Sequence, residues 1–287
     1  PVENRLQDLW SLMDVLWPGF LGSSRAFEQA YPADDPEKLQ ALHDKIFKSA
    51  DGRPAAGLRR LKTDELDGLP EKHEHSEAVE MPEAQAQAYR TVVARAVASR
   101  DGVAAGDGML KLLQDLRSIS LHPDPPADGY GDMDAYLSRS ARLKKTIELL
   151  DAIHARGEKA LVFLESLEMQ AFLADYARRR YKLPEMPARI HGGVPGAKRQ
   201  ALVDRFQSGP PGFDLMILSP KAGGVGLTIT AANHVIHLSR WWNPAVEDQS
   251  TDRAFRLGQS RPVSVYYPIA VHPSAQLREH SFDLKLD

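Results

Sequence analysis

In the second half of the chain, short apolar runs alternate with longer segments in which apolar residues recur at helical spacing. The short runs predict strands at residues 159–164, 188–191, 213–219, 232–238 and 263–271. The segments between them predict helices at 140–155, 167–181 and 196–207. Strands that are joined by helices pair in parallel through crossover connections. Residues 140–271 are therefore predicted to form an α/β lobe around a parallel sheet.

The first half of the chain shows mostly helical spacing. It predicts helices at residues 1–21, 37–49, 83–99 and 109–121, with one short strand at 79–81. Residues 124–134 are rich in Pro, Gly and Asp, which is typical of a linker. We therefore predict a mainly helical region at 1–139, the α/β lobe at 140–271, and a tail at 272–287 that is frayed or forms a short helix.

Composition narrows the setting and the chemistry. The sequence has no cysteine, which excludes disulfides and thiolate metal sites and favours an intracellular location. Its ten histidines show no metal-ligand spacing, so no metal site is predicted. No apolar run approaches the ~18 residues of a membrane span, and the first residues do not resemble a secretory signal. We therefore expect no membrane partner.

The formal charge of −3 is unevenly divided along the chain. Residues 1–140 hold 16 basic and 24 acidic side chains, a balance of −8, whereas residues 141–287 hold 20 and 15, a balance of +5. The basic half suits contacts with phosphate groups. A surplus of this size is also typical of an ordinary solvated surface, so charge alone does not indicate a nucleic-acid partner.

One predicted helix carries the strongest chemical signal. Asn243 is a favourable N-cap and Gly258 suits the position after the last turn, which predicts a helix at 244–257. Such a helix places three polar side chains on one face: Gln249, Arg253 and Arg256. Two neighbouring guanidiniums repel each other unless an anion lies opposite, and a triphosphate suits that place because guanidiniums bind phosphate oxygens in a bidentate manner. Pairing with carboxylates of a neighbouring element is the alternative.

A glycine-rich loop lies one predicted strand before this helix. Residues 221–228 (KAGGVGLT) follow the apolar run at 213–219 and contain Gly223, Gly224 and Gly226. Glycine permits close approach of the backbone to a ligand, and successive N–H groups can hold an anion. Ligands of α/β sheets bind beyond the carboxyl ends of the strands. The loop is therefore a candidate phosphate site, with a plain tight turn as the alternative.

Three nearby segments resemble a known family. The sequences K-A-G-G-V-G-L-T, R-W-W-N-P-A-V-E-D-Q and D-R-A-F-R-L-G-Q are similar to motifs V and VI of the SWI/SNF-like ATPases, which are double-stranded-DNA translocases of helicase superfamily two. The resemblance implies a RecA-like parallel sheet lobe of the helicase C-terminal type. It also implies arginine fingers at Arg253 and Arg256, and nucleotide contacts at Gly224, Gly226 and Gln249.

The resemblance implies a nucleic-acid side as well, with double-stranded DNA as the partner. Ser219 and Lys221 would lie near the DNA backbone, and Trp242 with Trp241 would support the loop that faces DNA. For the two tryptophans, a role as packing anchors is the alternative. Arg199, at the start of a predicted helix, is a further candidate for a nucleic-acid phosphate, and a solvated surface arginine is the alternative there.

The resemblance extends toward the start of the chain. Residues 1–22 are similar to the end of motif III and the helix after it, and LRRLKTDEL at 58–66 resembles a later segment. LRSISLHPD at 116–124 resembles L-R-x-I-C-N-H-P, with Ser-Leu in place of Cys-Asn. The resemblance therefore implies that the chain begins just inside the end of the first motor lobe, and that an N-terminal ATPase lobe is its partner in cis.

The motifs that bind ATP and Mg²⁺ in such motors are not found in this sequence. It has no G-x-x-x-x-G-K-[ST] motif. The D-E-L-D at 64–67 matches a magnesium-binding motif, but it follows Arg59, Arg60 and Lys62 rather than a buried strand, and we reject it. ATP and Mg²⁺ are therefore expected as cofactors of the full-length protein, with neither bound tightly by this chain.

These observations predict the second lobe of an ATP-dependent motor on duplex DNA, inactive in ATP hydrolysis by itself. One alternative is a non-catalytic RecA-like module that binds a protein or a nucleic acid. Another is a lobe of an RNA helicase, although such proteins usually carry H/Q-R-x-G-R-x-x-R in motif VI, whereas this chain has Q-x-x-x-R-x-x-R. The sequence does not indicate which protein cargo the motor would act on.

Overall fold

The structure is a computed structural model, and it describes residues 5–49, 52, 54–58, 69–98, 107–124, 131–220, 226–241, 243–279 and 281–285. The chain forms two compact units, Pro1–Gly68 and Leu69–Asp287. The acidic stretch at 64–67 lies outside the described residues. No described helix combines the length and the apolar character that crossing a membrane requires.

The first unit is helical in its described part. Its helices are α1 (Leu6–Leu16), α2 (Ser24–Ala30) and α3 (Pro36–Phe47). The second and third begin at side-chain caps, because Ser23 and Asp35 each accept a hydrogen bond from a backbone N–H of the first turn. A small core holds the helices together and consists of Met13, Leu21, Phe27, Leu42 and Ile46. The helices predicted within 1–21 and 37–49 are confirmed.

The second unit is an α/β lobe. Its strands are β1 (Lys72–Glu80), β2 (Lys159–Phe163), β3 (Ala188–Ile190), β4 (Asp214–Leu218), β5 (His234–His237) and β6 (Val263–Val271). Its helices are α4 (Glu83–Ala98), α5 (Asp107–Leu121), α6 (Met133–Ser138), α7 (Ala141–Arg156), α8 (Leu167–Arg180), α9 (Gly196–Ser208), α10 (Pro244–Thr251) and α11 (Ala275–Arg278), followed by a short 3-10 helix at Phe282–Lys285. Apart from β1, the strands lie where the apolar runs predict them.

Within the described residues the strands form one parallel sheet in the order β1-β6-β5-β2-β4-β3. Its central strands are buried on both faces, because their side chains alternate between two core clusters. Ala160 and Val162 of β2 pack with α7 and α8, whereas Leu161 and Phe163 pack with α9. The predicted α/β class with a parallel sheet is confirmed.

The edge strand β1 is longer than the sequence pattern predicts. The predicted strand at 79–81 covers only its end, whereas the observed strand pairs with β6 from Lys72 opposite Val263 to Glu80 opposite Val271. Most of its side chains are exposed, so neither face of the strand needs apolar residues, and the sequence does not alternate between apolar and polar positions. Charged side chains at a sheet edge hinder pairing with further strands. The strand is therefore specified by its backbone partner rather than by its own pattern.

Packing divides the chain at a different place from the predicted division. The region predicted at 1–139 is cut after Gly68, and its later part joins the α/β unit through β1, α4 and α5. The tail predicted at 272–287 belongs to the same unit, where Phe282 packs in a cluster with Tyr89 of α4. Patterning does not predict this because the edge strand is polar and the tail has no periodic apolar residues.

A buried ion pair attaches the tail to the sheet. Asp283 Oδ1 lies 3.3 Å from Arg142 Nη1 of α7, and Asp283 Oδ2 accepts from Ala270 N of β6 at 2.8 Å. Both charged side chains are buried. Burial lowers the pKa of Arg142, and the carboxylate of Asp283 opposes that shift. Removing one partner would leave an uncompensated charge in the core.

We expect Asp283→Asn to lower the free energy of unfolding of the second unit by about 3–5 kcal/mol, because Arg142 would stay buried without its counter-charge. Urea denaturation of the whole chain measures this. Glu80→Gln is the matched control, since Glu80 pairs with Arg278 of the tail at 2.6 Å on the exposed surface. Loss of an exposed pair should cost about 1 kcal/mol or less. Equal losses in the two variants would contradict the role of burial.

Candidate functional site

Helix α10 begins as the sequence predicts. The Asn243 side chain accepts a hydrogen bond from Ala245 N at 3.0 Å, and Pro244 occupies the first turn, where its missing N–H leaves no bond unmade. Glu247, one turn further, is buried, and its carboxylate accepts from Trp241 N at 2.7 Å. The start of the helix is therefore joined to the segment that follows β5.

The end of α10 differs from the prediction, because the helix stops at Thr251 rather than Leu257. A continuing helix would give the carbonyl of Arg253 to the N–H of Leu257. Instead, this carbonyl accepts from Ile229 N at 2.8 Å. The two N–H groups that follow Asp252 bond to the third residue before them, which tightens the chain into turns. The helix has thus ended before Arg253, and the tertiary hydrogen bond from Ile229 holds the turn that follows it.

The predicted helical face of Gln249, Arg253 and Arg256 is therefore wrong. Gln249 lies exposed on α10, whereas the two arginines lie in the turns that follow it. Gly258 ends this segment with φ of 97°, a conformation that glycine adopts without strain. The glycine was expected directly after the helix, and it instead closes the turn segment.

The two arginines differ in exposure. Arg253 is only 6% exposed, whereas Arg256 is exposed. Arg253 Nε has no hydrogen-bond partner, and neither guanidinium forms an ion pair within the part of the chain that the structure describes. Burial and the positive charge of Arg256 lower the pKa of Arg253 to about 10, and Asp252 opposes this shift. A buried cation without a paired carboxylate is stabilised by an anion from outside.

A buried amide joins the arginine turn to the end of the glycine-rich loop. Over distances of 2.8–3.2 Å, Gln259 Nε2 donates to three carbonyls, those of Thr230, Ala232 and Ala254. Gln259 Oε1 accepts from the next two backbone N–H groups. Together with the hydrogen bond from Ile229 to Arg253, these contacts place the residues that follow Gly226 against the arginine turn.

The glycine-rich loop is described only from Gly226 onward. Gly226 is exposed and has φ of 40°, and a Cβ added to it would meet no atom of the described residues within 4 Å. Lys221 and Gly224 lie outside the described residues, and so does Trp242. Their contacts with nucleotide and DNA stay predictions.

Two further predicted residues lie near the carboxyl ends of β3 and β4. Ser219 directly follows β4, and its Oγ accepts from Gln170 Nε2 at 2.9 Å. Arg199 of α9 donates to the carbonyls of Val194 at 2.6 Å and Gly192 at 3.0 Å, in the loop after β3. Both side chains lie at the sheet edge where α/β proteins bind ligands. Arg199 shapes this loop, and its contact with nucleic acid stays a prediction.

An ionic and aromatic layer supports the segment between β5 and α10. Arg240 is buried, and its Nε lies 3.1 Å from Glu247 Oε1. The guanidinium of Arg240 also lies 4.8 Å from the centre of the Tyr267 ring on β6. The paired charge and the cation–π contact hold this segment on the sheet.

The chain matches two family models in succession. The SNF2-related domain matches residues 1–125, and the helicase conserved C-terminal domain matches residues 141–258. The chain belongs to the SWI2/SNF2 family of helicase-like ATPases. Residues 126–140 lie between the two matches, and packing divides this SWI2/SNF2 chain after Gly68.

Solved structures of this family share the fold. The Sulfolobus solfataricus SWI2/SNF2 ATPase core domain is 30% identical with a TM-score of 0.59, over 94% of this chain and 54% of that chain. The same core in complex with dsDNA is 28% identical with a TM-score of 0.60, over 94% of this chain and 56% of that chain. The RecA-like SWI2/SNF2 fold that the resemblance implies is therefore confirmed.

Curated relatives match nearly the whole SWI2/SNF2 chain. YwqA of Bacillus subtilis (strain 168), whose name describes an ATP-dependent helicase/translocase, is 37% identical over 93% of this chain and 29% of its own length. Zorya protein ZorD of Escherichia coli is 35% identical over 99% of this chain and 27% of its own length. The ISWI chromatin-remodeling complex ATPase CHR11 of Arabidopsis thaliana is 29% identical over 93% of this chain and 25% of its own length. The chain thus spans less than a third of the length of these relatives.

Sequence reasoning missed three residues that hold the SWI2/SNF2 site together: Arg240, Glu247 and Gln259. Each is buried and bonds to backbone or to an opposite charge rather than facing the open side. All three lie within the segments that resemble motifs V and VI. Their positions in those segments were the available signal, but polarity alone does not separate a buried support from a ligand contact.

The burial of His237 predicts that the stability of this lobe depends on pH. It is buried between Phe163 and Tyr267, with ring centres 5.3 and 5.1 Å away, and its Nε2 lies 2.9 Å from Thr251 Oγ1 of α10. Burial and the charge of Arg240 lower the pKa of His237 to about 3. An unfolded histidine has a pKa of about 6.5, so between these values the unfolded chain binds a proton that the folded chain does not. Stability is therefore lost as pH falls through this window.

The free energy of unfolding of the unaltered chain should fall as the pH is lowered from about 7.5 to about 5. In His237→Gln we expect this fall to be smaller by about 2 kcal/mol, because the histidine that causes it is absent. Urea denaturation at the two pH values measures the decrease. His73→Gln, on the exposed edge strand β1, is the control and should keep the pH dependence of the unaltered chain. The same dependence in His237→Gln would show that another group causes it.

Proposed function

We propose that the chain is the second lobe of an ATP-dependent motor on double-stranded DNA, in which Arg253 and Arg256 are arginine fingers. The observation that carries this proposal is the buried guanidinium of Arg253, without an ion pair among the described residues, beside the exposed guanidinium of Arg256. Two cations that form no ion pair among the described residues suit the γ-phosphate of a nucleotide held by another lobe.

The remaining predicted residues fall into two groups, one that would contact the nucleotide and one that would contact DNA. Gln249 and the loop glycines Gly224 and Gly226 would approach the nucleotide, since Gln259 and Ile229 attach the end of that loop to the arginine turn. Near the carboxyl edge of the sheet lie the residues that would contact DNA: Ser219, Lys221, Trp242 and Arg199. A solved SWI2/SNF2 core in complex with dsDNA, 28% identical, supports duplex DNA over RNA as the partner.

ATP and Mg²⁺ would be held mainly by an N-terminal ATPase lobe in cis. This sequence has no G-x-x-x-x-G-K-[ST] motif to cradle the phosphates, whereas the curated relatives are more than three times as long as the part that this chain matches. Closure of the two lobes on ATP, and reopening after hydrolysis, would move them along the duplex. Because ATP and DNA lie inside cells, the proposal implies an intracellular location.

We expect Arg253→Ala to lower the DNA-stimulated ATPase turnover of the longer polypeptide by about 10³-fold or more, the range of arginine-finger losses. Turnover at saturating ATP and duplex DNA measures this. Arg205→Ala is the control, because Arg205 is exposed and paired with Glu185, and it should leave turnover within about twofold. A loss of less than tenfold in Arg253→Ala would refute the finger role.

The 287-residue chain itself is expected to show no significant ATP hydrolysis, with or without duplex DNA. The physical reason is that only the arginines of this lobe would stabilise the charge that develops in the transition state. The lysine and the magnesium-binding carboxylates of the other lobe would be missing. A phosphate-release assay on the purified chain tests this. Robust turnover that survives replacement of both arginines would exclude the proposed mechanism.

A further inference from the structure

One peptide unit between β5 and α10, the Arg240–Trp241 peptide, is held from both sides. Its carbonyl oxygen accepts from Arg117 Nη2 at 3.2 Å, and its N–H donates to Glu247 Oε1 at 2.7 Å. Arg117 belongs to α5 and Glu247 to α10. Two elements that are far apart in sequence therefore fix the orientation of a single peptide plane.

The guanidinium of Arg117 makes two other contacts at the same place. It lies 2.5 Å from Glu165 Oε2, just after β2, and 4.9 Å from the centre of the Trp241 ring. A planar guanidinium can bond to a carboxylate and a carbonyl while lying against an aromatic ring. A lysine ammonium could retain the charge opposite Glu165 but lacks the plane and the fork that the other contacts use.

Glu247 connects this peptide to the arginine segment. Its buried carboxylate also accepts from Arg240 Nε at 3.1 Å, so the pair stays neutral while it holds the peptide. From Glu247, helix α10 runs directly to the turn that contains Arg253. A shift of the Arg240–Trp241 peptide would therefore move the start of the element that places the arginine.

We infer that Arg117 is a positioning residue, which couples helix α5 to the arginine segment by fixing the Arg240–Trp241 peptide against Glu247. The inference rests on the proposed function, because it assigns the coupling to a DNA-stimulated ATPase. Trp241 precedes Trp242, a predicted support of the DNA-facing loop, so DNA binding and the arginine segment would share this peptide.

The ratio of DNA-stimulated to basal ATPase rate tests the coupling in the longer polypeptide. A merely structural role would lower the active fraction, which reduces both rates in proportion and leaves the ratio unchanged. We expect Arg117→Lys and Arg117→Ala to lower the ratio about tenfold, which corresponds to about 1.4 kcal/mol. An unchanged ratio in Arg117→Lys would overturn the inference.

Two further variants separate the peptide contact from the nearby charges. Glu165→Gln removes the ion pair but leaves Arg117 free to donate to the Arg240 carbonyl, so the ratio should stay within about twofold. Arg90→Ala, on the exposed face of α4 where Arg90 pairs with Glu83, is the surface control and should leave the ratio unchanged. A tenfold loss in Glu165→Gln would assign the effect to the ion pair and overturn the peptide role.

If the longer polypeptide showed no stimulation by duplex DNA, the proposed function would be refuted. A second measurement tests the placement of Arg117 and does not depend on ATPase activity. In the 287-residue chain, Arg117 covers Trp241, so Arg117→Lys should increase quenching of tryptophan fluorescence by acrylamide, relative to Arg90→Ala. Equal quenching in the two variants would contradict the placement of Arg117 beside Trp241, and with it the inferred contact between Arg117 and the Arg240–Trp241 peptide.

Discussion

The hydrogen bond from Ile229 N to the carbonyl of Arg253 decides where the two arginines lie. It joins the turn that follows α10 to the residue after the glycine-rich loop, so Arg253 lies beside the end of that loop. Gln259 reinforces this arrangement by donating to carbonyls on both sides of the contact. The placement of both guanidiniums therefore depends on a few polar bonds between segments that are not adjacent in sequence.

The buried arginines of the second unit show what is unusual about Arg253. Arg142 faces Asp283 and Arg240 faces Glu247, so each buried charge meets a carboxylate of its own lobe. Arg253 forms no such pair within the described residues. Its pKa is lowered because burial and the nearby positive charge of Arg256 both disfavour the charged guanidinium. Among the residues that the structure describes, that contrast sets Arg253 apart as a buried arginine without an ion pair.

Apolar packing stabilises the sheet of this lobe, whereas hydrogen bonds and ion pairs orient the segment between β5 and α10. Side chains on both faces of β2, such as Val162 and Leu161, bury the sheet between helices and account for the parallel fold. At the segment between β5 and α10, orientation is instead set by directional contacts, among them the hydrogen bond from Arg117 to the Arg240 carbonyl. Hydrophobic burial is not directional, so it could not select one orientation of that peptide.

The sequence by itself determined the central strands, most helices and the family, because apolar periodicity, caps such as Asn243 and dense motifs are local signals. Only the tertiary structure decided the polar edge strand β1, the burial of the tail through Asp283, and the end of α10 at Thr251. The first two features arise from bonds between residues far apart in the chain, whereas at the end of α10 the N–H groups of Arg253 and Ala254 bond to the third residue before them. Local patterns carry no information about distant partners, and the signals at Asn243 and Gly258 do not reveal that α10 ends early, so the two arginines were wrongly predicted to lie on one helical face.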